Sequence, residues 1–124
     1  MAIAATLIDV ASPTTKIVYT SLVTSPQTGN AITCIMICNT SVSTSATLTL
    51  YAVPSTNSGT TIGAASAANM IINALNIPAG ETVTFDSEKI ILGNGDRIFV
   101  KSVHINSPST TTQNLVATIS TLSL

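Results

Sequence analysis

The chain has 124 residues, of which 45% are hydrophobic and only 7% are charged, and its formal net charge is −1. This length suits one domain with a hydrophobic core, and the scarcity of basic residues excludes the positive surface that nucleic-acid binding requires. No run approaches the about 18 apolar residues of a membrane-spanning helix, and MAIAATLIDVASP lacks the basic start of a secretory signal. We expect neither nucleic acid nor a membrane as a partner.

The pattern along the chain is that of β-structure, because Thr, Val and Ile alternate with other apolar residues and β-branched side chains favour strands. The predicted strands are Ala4–Val10, Lys16–Thr24, Ala31–Asn39, Ser45–Val53, Asn69–Asn76, Thr82–Leu92, Arg97–Val103 and Asn114–Leu122. Turn-forming residues such as Pro78-Ala79-Gly80 and Gly93-Asn94-Gly95-Asp96 separate them. Short strands with turn signals between them predict an all-β fold, an antiparallel β-sandwich of jelly-roll or Ig-like type with about eight strands.

We expect a single domain, with an N-terminal arm and first strand at 1–15 and the β-sandwich at 16–124. The apolar arm is expected to reach onto a neighbouring subunit. The segment Ser55–Ala68 is predicted to be a long loop that contains at most a helical turn. The alternative is a short helix in the alanine-rich segment Ile62–Leu75.

Three strands carry more specific predictions. Ala31–Cys38 is apolar on both faces, which predicts a central strand covered above and below. Ser45–Val53 alternates, with Ala46, Leu48, Leu50 and Ala52 on its buried face. Thr82–Leu92 is expected to bend near Asp86-Ser87-Glu88, either splitting into two strands or crossing between sheets.

The residues that could perform chemistry are few and scattered. Asp86 and Glu88 could form a carboxylate pair for acid–base work or for calcium, but a polar bend balanced by Lys89 explains them better. Asp96 is interpreted as a turn residue that binds local backbone N–H groups. His104 has no Ser or Cys motif around it, and no phosphate loop or metal-binding motif occurs.

Cys34 and Cys38 would point to one face of a strand, with Cα atoms about 13 Å apart at about 3.3 Å per residue. A disulfide requires a Cα separation below about 7 Å, so two buried, reduced thiols are expected. We therefore predict no enzyme, with no catalytic, cofactor-binding or metal residues and no cofactor. Asn39-Thr40-Ser41 matches the glycosylation sequon, which we interpret as chance in the absence of a secretion signal.

The runs IVYTSLVT, ITCIMICNTS, ATLTLYAVP, IINALNIPAGETVTF and EKIILGNGDRIFVKS together resemble small virion structural proteins of tailed bacteriophages. The resemblance covers about Lys16 to Val103, and it lies in turn chemistry and core pattern. The two cysteines and the loop Ser55–Ala68 depart from it. It implies a β-sandwich subunit without catalysis, present in many copies on a capsid or tail.

On this basis we expect a capsid cement or decoration subunit that stabilises the phage head, forms a homo-oligomer (a trimer is favoured) and binds the major capsid protein or other virion proteins. Its location would be the virion, assembled in the host cytoplasm. A tail, neck or baseplate subunit is the alternative within this class. A surface- or glycan-binding β module, using Thr47-x-Thr49 and Thr82-x-Thr84 as hydroxyl ladders, is the alternative from another class.

Overall fold

The computed structural model describes residues 2–9, 15–55, 65–104 and 114–124, and for residues 6–9, 103, 104 and 114 only the main chain. Its strands are β1 (Ala2–Asp9), β2 (Lys16–Thr20), β3 (Asn30–Asn39), β4 (Ala46–Val53), β5 (Met70–Ile77), β6 (Thr82–Phe85), β7 (Ile90–Leu92), β8 (Arg97–His104) and β9 (Asn114–Ser123). One 3₁₀ turn, η1 (Ala67–Asn69), precedes β5. Within the described ranges, no helix has the length and apolar character needed to cross a membrane.

The strands form two antiparallel sheets that pack face to face. The first sheet has the order β1-β9-β3-β6, with β7 also paired to β3, and the second has the order β2-β8-β4-β5. If β6 and β7 are counted as one interrupted strand, the described residues form eight strands, and the two orders are those of a jelly roll. The predicted β-sandwich is confirmed, and the sheet order selects the jelly-roll form over the Ig-like form.

The core lies between the sheets and follows the period-2 pattern of the strands. Ile35 and Ile37 of β3 face Leu48 and Leu50 of β4 in one cluster of buried side chains. The predicted buried face of β4 is confirmed for Ala46, Leu48 and Leu50, while Ala52 is partly buried against the same cluster. A second cluster on the outer side of the second sheet contains Tyr51, Val53 and Phe99, and Ala65 and Met70 pack against it.

The prediction of a bend in Thr82–Leu92 is confirmed, and it takes the form of a split. β6 pairs with Ile35–Cys38 and β7 pairs with Asn30–Ile32, so both pieces border the same strand of the first sheet. Between them, β3 carries a bulge at Thr33. The Lys89 ammonium donates hydrogen bonds to the main-chain oxygens of Thr33 (3.0 Å) and Asp86 (2.6 Å). The lysine thus occupies the place where the β-ladder is interrupted.

Three other boundaries differ from or refine the sequence predictions. The predicted strand Lys16–Thr24 ends at Thr20, because its partner β8 begins at Arg97 and Ser21 bonds instead to the turn before β8, through Ser21 N to Asp96 O at 2.8 Å. The helix considered for Ile62–Leu75 is absent from its described part, where η1 leads directly into β5. Most of the loop predicted at Ser55–Ala68 lies outside the described residues.

The first strand of the predicted N-terminal arm is present as β1. It pairs with β9 of the same chain from Ala2↔Thr121 to Asp9↔Asn114 and forms one edge of the first sheet. The start of the strand is exposed, and the Ile3 side chain is 71% accessible. Whether this strand also contacts a neighbouring subunit stays a prediction.

Candidate functional site: the outer face of the first sheet

The outer face of the first sheet has a composition that departs from that of a solvated sheet. Residues paired directly across antiparallel strands share a face, so the register defines its members. We call this set the outer face, and its described members are Ile3, Ala5, Ala31, Cys34, Met36, Cys38, Thr82, Thr84, Ile91, Val116, Thr118, Ser120 and Leu122. These side chains are apolar or carry a neutral hydroxyl or thiol. The same register places Asp9, opposite Asn114, at one end of the face.

Large apolar side chains are exposed on this face. Ile3 is 71% accessible, Ile91 60%, Leu122 43% and Met36 38%. An antiparallel sheet with one solvated face normally places charged and polar residues there. The outer side of the second sheet is different, since Lys101 pairs with Thr49 and Arg97 with Val53, and part of that side is covered by Ala65 and Met70. Among the described residues, the sheet face with the largest exposed apolar side chains at its centre therefore belongs to the first sheet.

The prediction for β3 requires a correction. The strand is central in its sheet, as expected, but only one of its faces is covered by described residues. Ile35 and Ile37 are 1% and 0% accessible in the core, whereas Met36 between them is exposed. The second face is apolar, as the sequence indicates, but no described residue buries Met36 on it. Sequence reasoning took this pattern as a sign of intramolecular burial.

Cys34 and Cys38 lie on the outer face, both as free thiols. The prediction that they point to one face of β3 is confirmed by their pairing with Ser120 and Val116. The prediction that they are buried is wrong, because both are only partly buried on the uncovered side of the sheet. Thiol-reactive reagents can therefore be used to probe this surface.

The acidic pair lies at the split between β6 and β7. Asp86 and Glu88 are both exposed and lie outside the strands, which agrees with the bend interpretation. They border a cavity of about 330 Å³ whose other walls are mainly apolar side chains from both sheets, including Ile72 and Phe85. The Lys89 ammonium bonds to main-chain oxygens there. The two sheets therefore leave a cavity between them beside the split between β6 and β7.

Asp96 behaves as the turn residue that was predicted, and it also joins separate segments. Its carboxylate accepts hydrogen bonds from Gly93 N at 2.8 Å and from Ser55 N at 2.7 Å. The neighbouring turn residue Asn94 accepts from Val23 N through its side chain at 3.0 Å. These bonds tie the segment after β2, the end of β4 and the turn before β8 together. Asp96 therefore stabilises loops and is not arranged for proton transfer.

Asn39, the last residue of β3, also joins separate loop segments through its side chain. Its amide nitrogen donates to the main-chain oxygens of Thr44 (2.9 Å) and Ile77 (3.0 Å), and its side-chain oxygen accepts from Ser41 N at 3.0 Å. The residue is 1% accessible. Since both amide hydrogens are engaged inside the fold, the sequon at this position cannot carry a glycan in the folded chain. His104 pairs with Ala46 at the end of β8, and its side chain lies outside the described residues.

Other binding classes find little support in the geometry. All four aromatic side chains of the chain, Tyr19, Tyr51, Phe85 and Phe99, pack against the two core clusters, so none forms an exposed stacking platform for sugars. Thr47 and Thr49 lie on the second sheet and Thr82 and Thr84 on the first, so the two hydroxyl ladders do not join into one array. In the part of the chain that the structure describes, no three His, Cys, Asp or Glu residues are grouped so as to hold a metal ion.

Comparison with known proteins gives little further guidance. No family model and no curated protein matches the chain. One similar solved structure is that of infectious bursal disease virus, strain Gx, with a TM-score of 0.43, 11% identity, and coverage of 98% of this chain and 32% of that chain. Another is a point mutant of the VP2 protein of the same virus in derived T=1 particles, with a TM-score of 0.20, 16% identity, and coverage of 98% and 40%. This chain thus spans about a third of the first and less than half of the second, and similarity at this level carries no argument about function.

Proposed function

We propose that the protein is a non-enzymatic virion structural protein, namely a capsid cement or decoration subunit that stabilises a phage head. The observation that carries the proposal is the group of large apolar side chains that the described residues leave exposed on the outer face of the first sheet. Contiguous exposed apolar surface on a folded chain marks an interaction site. A subunit that becomes stable by contact with many neighbours needs such a face, and an isolated monomer does not.

Two further observations support this role. The segment from Lys16 to Val103 resembles virion structural proteins of tailed bacteriophages. Jelly-roll sandwiches occur in viral capsid domains, lectins and cupins, and a fold by itself does not decide among them. The packed aromatic side chains argue against a sugar-stacking lectin. The proposed partners are the major capsid protein or other virion proteins, and the proposed form is a homo-oligomer, with a trimer favoured.

Mass spectrometry of purified particles, with absolute quantification against labelled peptides of this chain, tests the proposal. Hundreds of copies per particle are expected for a cement subunit. About six or twelve copies, numbers set by the rotational symmetry of a ring, would instead favour the neck or baseplate alternative. Absence of the polypeptide from particles would overturn the virion role.

A further inference from the structure

We propose that Asn94, in the turn before β8, is the principal site of spontaneous deamidation in this chain, and that hydrogen bonds from two other segments hold it unreactive while the fold is closed. These segments are the stretch after β2 and the stretch after β4. We call the place where they meet the turn the junction. This modification site is separate from the outer face of the first sheet and does not depend on the virion role.

The sequence at the turn is the one in which deamidation is fastest. Asn94-Gly95 is the only Asn-Gly pair in the chain, and a glycine without a Cβ lets its own nitrogen approach the preceding side chain. In the reaction the Gly95 nitrogen bonds to Cγ of Asn94 and closes a five-membered succinimide ring, while the side-chain nitrogen leaves as ammonia with the Gly95 proton. Water then opens the ring at either carbonyl, which gives aspartate or isoaspartate.

The fold engages both reacting groups in hydrogen bonds. Gly95 N, the attacking atom, donates to Ser21 O at 2.8 Å, and Ser21 N donates in return to Asp96 O at 2.8 Å. Asn94 Oδ1, on the carbon that is attacked, accepts from Val23 N at 3.0 Å. The nitrogen must give up its proton before it attacks, and an amide fixed by Val23 cannot rotate freely. Ring closure therefore requires that these bonds break.

The partners of the turn are themselves held in place. Ser21 is 0% accessible, and its hydroxyl accepts a hydrogen bond from Nδ2 of Asn30 at 2.9 Å. On the other side of the turn, Ser55 Oγ donates to Asn94 O at 2.9 Å. Freeing Gly95 N thus means separating the turn from a buried, bonded segment. The folded chain reacts only through the small population in which the junction is open.

Deamidation also prevents the junction from closing again in its original form. Isoaspartate routes the main chain through the former side chain, which adds one carbon before Gly95 and displaces its nitrogen from Ser21 O. Either product places a new negative charge two residues from Asp96, whose carboxylate already accepts two main-chain hydrogen bonds. Two carboxylates at this spacing repel each other. The modification is therefore a one-way opening of the junction.

Trypsin makes the site directly measurable. Cleavage after Lys89 and Arg97 releases the peptide IILGNGDR, in which Asn94 has the only side-chain amide. The full chain is incubated folded and, in parallel, unfolded in guanidinium chloride, and mass spectrometry of this peptide follows the conversion of amide to carboxyl. Digestion in water enriched in the heavy oxygen isotope marks any amide that is lost during digestion.

Two rates are expected from this comparison. In guanidinium chloride the peptide should convert faster than the peptide 102–124, which contains Asn106 and Asn114. In the folded chain its conversion should be at least about ten-fold slower than in the unfolded chain, because the rate follows the population of the open form when opening is fast relative to the reaction.

Ser55→Ala tests whether the junction controls the reaction. The change removes the hydroxyl bond to Asn94 O and keeps the main-chain bond from Ser55 N to Asp96. It should raise the rate in the folded chain about two- to ten-fold, the range for one hydrogen bond, and leave the rate in guanidinium chloride unchanged. Ser43→Ala makes the same change at an exposed position outside the junction and should alter neither rate.

Three results would overturn the proposal. Equal rates in the folded and unfolded wild-type chain would show that the junction gives no protection. Faster conversion of the peptide 102–124 in guanidinium chloride would show that Asn94 is not the principal site. A rate in the folded chain that Ser55→Ala raises no more than Ser43→Ala does would show that the junction does not control the reaction.

Discussion

The most informative stability test is Asn39→Asp, which keeps the size of a buried side chain and removes its donor. The amide donates to Thr44 O and Ile77 O and is 1% accessible. After the exchange, two main-chain oxygens face a carboxylate oxygen inside the fold. A buried group that loses its partner costs about 1–3 kcal/mol, so we expect a loss of about 3–5 kcal/mol in the free energy of unfolding. This is a large share of the about 5–15 kcal/mol of a typical domain.

The loss should also depend on pH in a defined direction. Burial and the two facing oxygens raise the pKa of the introduced carboxyl in the folded state above its unfolded value of about 3.9. Between these two pKa values the folded state binds the extra proton, so the variant loses stability as the pH rises through that window. Below it, the protonated carboxyl can donate one of the two lost hydrogen bonds. The penalty is therefore smallest near about pH 4 and largest near about pH 8.

Urea unfolding followed by far-UV circular dichroism measures both effects, at one fixed protein concentration because association contributes to apparent stability. Asn76→Asp makes the same chemical change at an exposed position of β5 and should alter stability by no more than about 0.5 kcal/mol. Equal losses for the two variants would refute the reasoning. So would a penalty for Asn39→Asp that does not grow with pH.

Two further predictions concern backbone geometry. Gly29→Ala should cost about 1–3 kcal/mol in chemical denaturation, because the added Cβ would lie 2.9 Å from Leu92 O, and a main-chain atom cannot move aside cheaply. Gly80→Ala, at a φ of +75° with open space around it, should cost only about 1 kcal/mol, and a larger loss there than at Gly29 would contradict the steric argument. Lys89→Met should cost about 0.5–1.5 kcal/mol and speed amide hydrogen exchange around Thr33 and Cys34, since the ammonium bonds to Thr33 O beside the bulge. Unchanged exchange there would show that the lysine does not hold the interrupted ladder.

Much of the fold follows from local signals in the sequence. The alternation in β4 and the turn residues at Pro78–Gly80 and Gly93–Asp96 act over a few residues, and the corresponding elements appear where they were expected. The end of β2 was misplaced because it depends on where a distant strand begins. Its partner β8 starts at Arg97, and no local pattern near Thr20 contains that information.

The candidate site was harder to predict, because its members come from strands far apart in the chain. Ile91 and Leu122 are both neighbours of Ala31 only after β7 and β9 have paired with β3. Ile3 joins them through β9. Each of these residues alone is an ordinary apolar position in a strand. Sheet order is what converts them into one surface, and sheet order is not encoded in any short segment.

The alternating residues of β3 show why the sequence alone does not say what would bury the second face of this strand. Cys34, Met36 and Cys38 satisfy the pattern of a strand buried on both faces, and that pattern is identical whether the cover comes from the same chain or from another. Once the jelly roll is built, its second sheet packs on the inner face, while Met36 on the outer face stays 38% accessible among the described residues. The same three residues that predicted a core strand therefore lie on a partly exposed apolar surface.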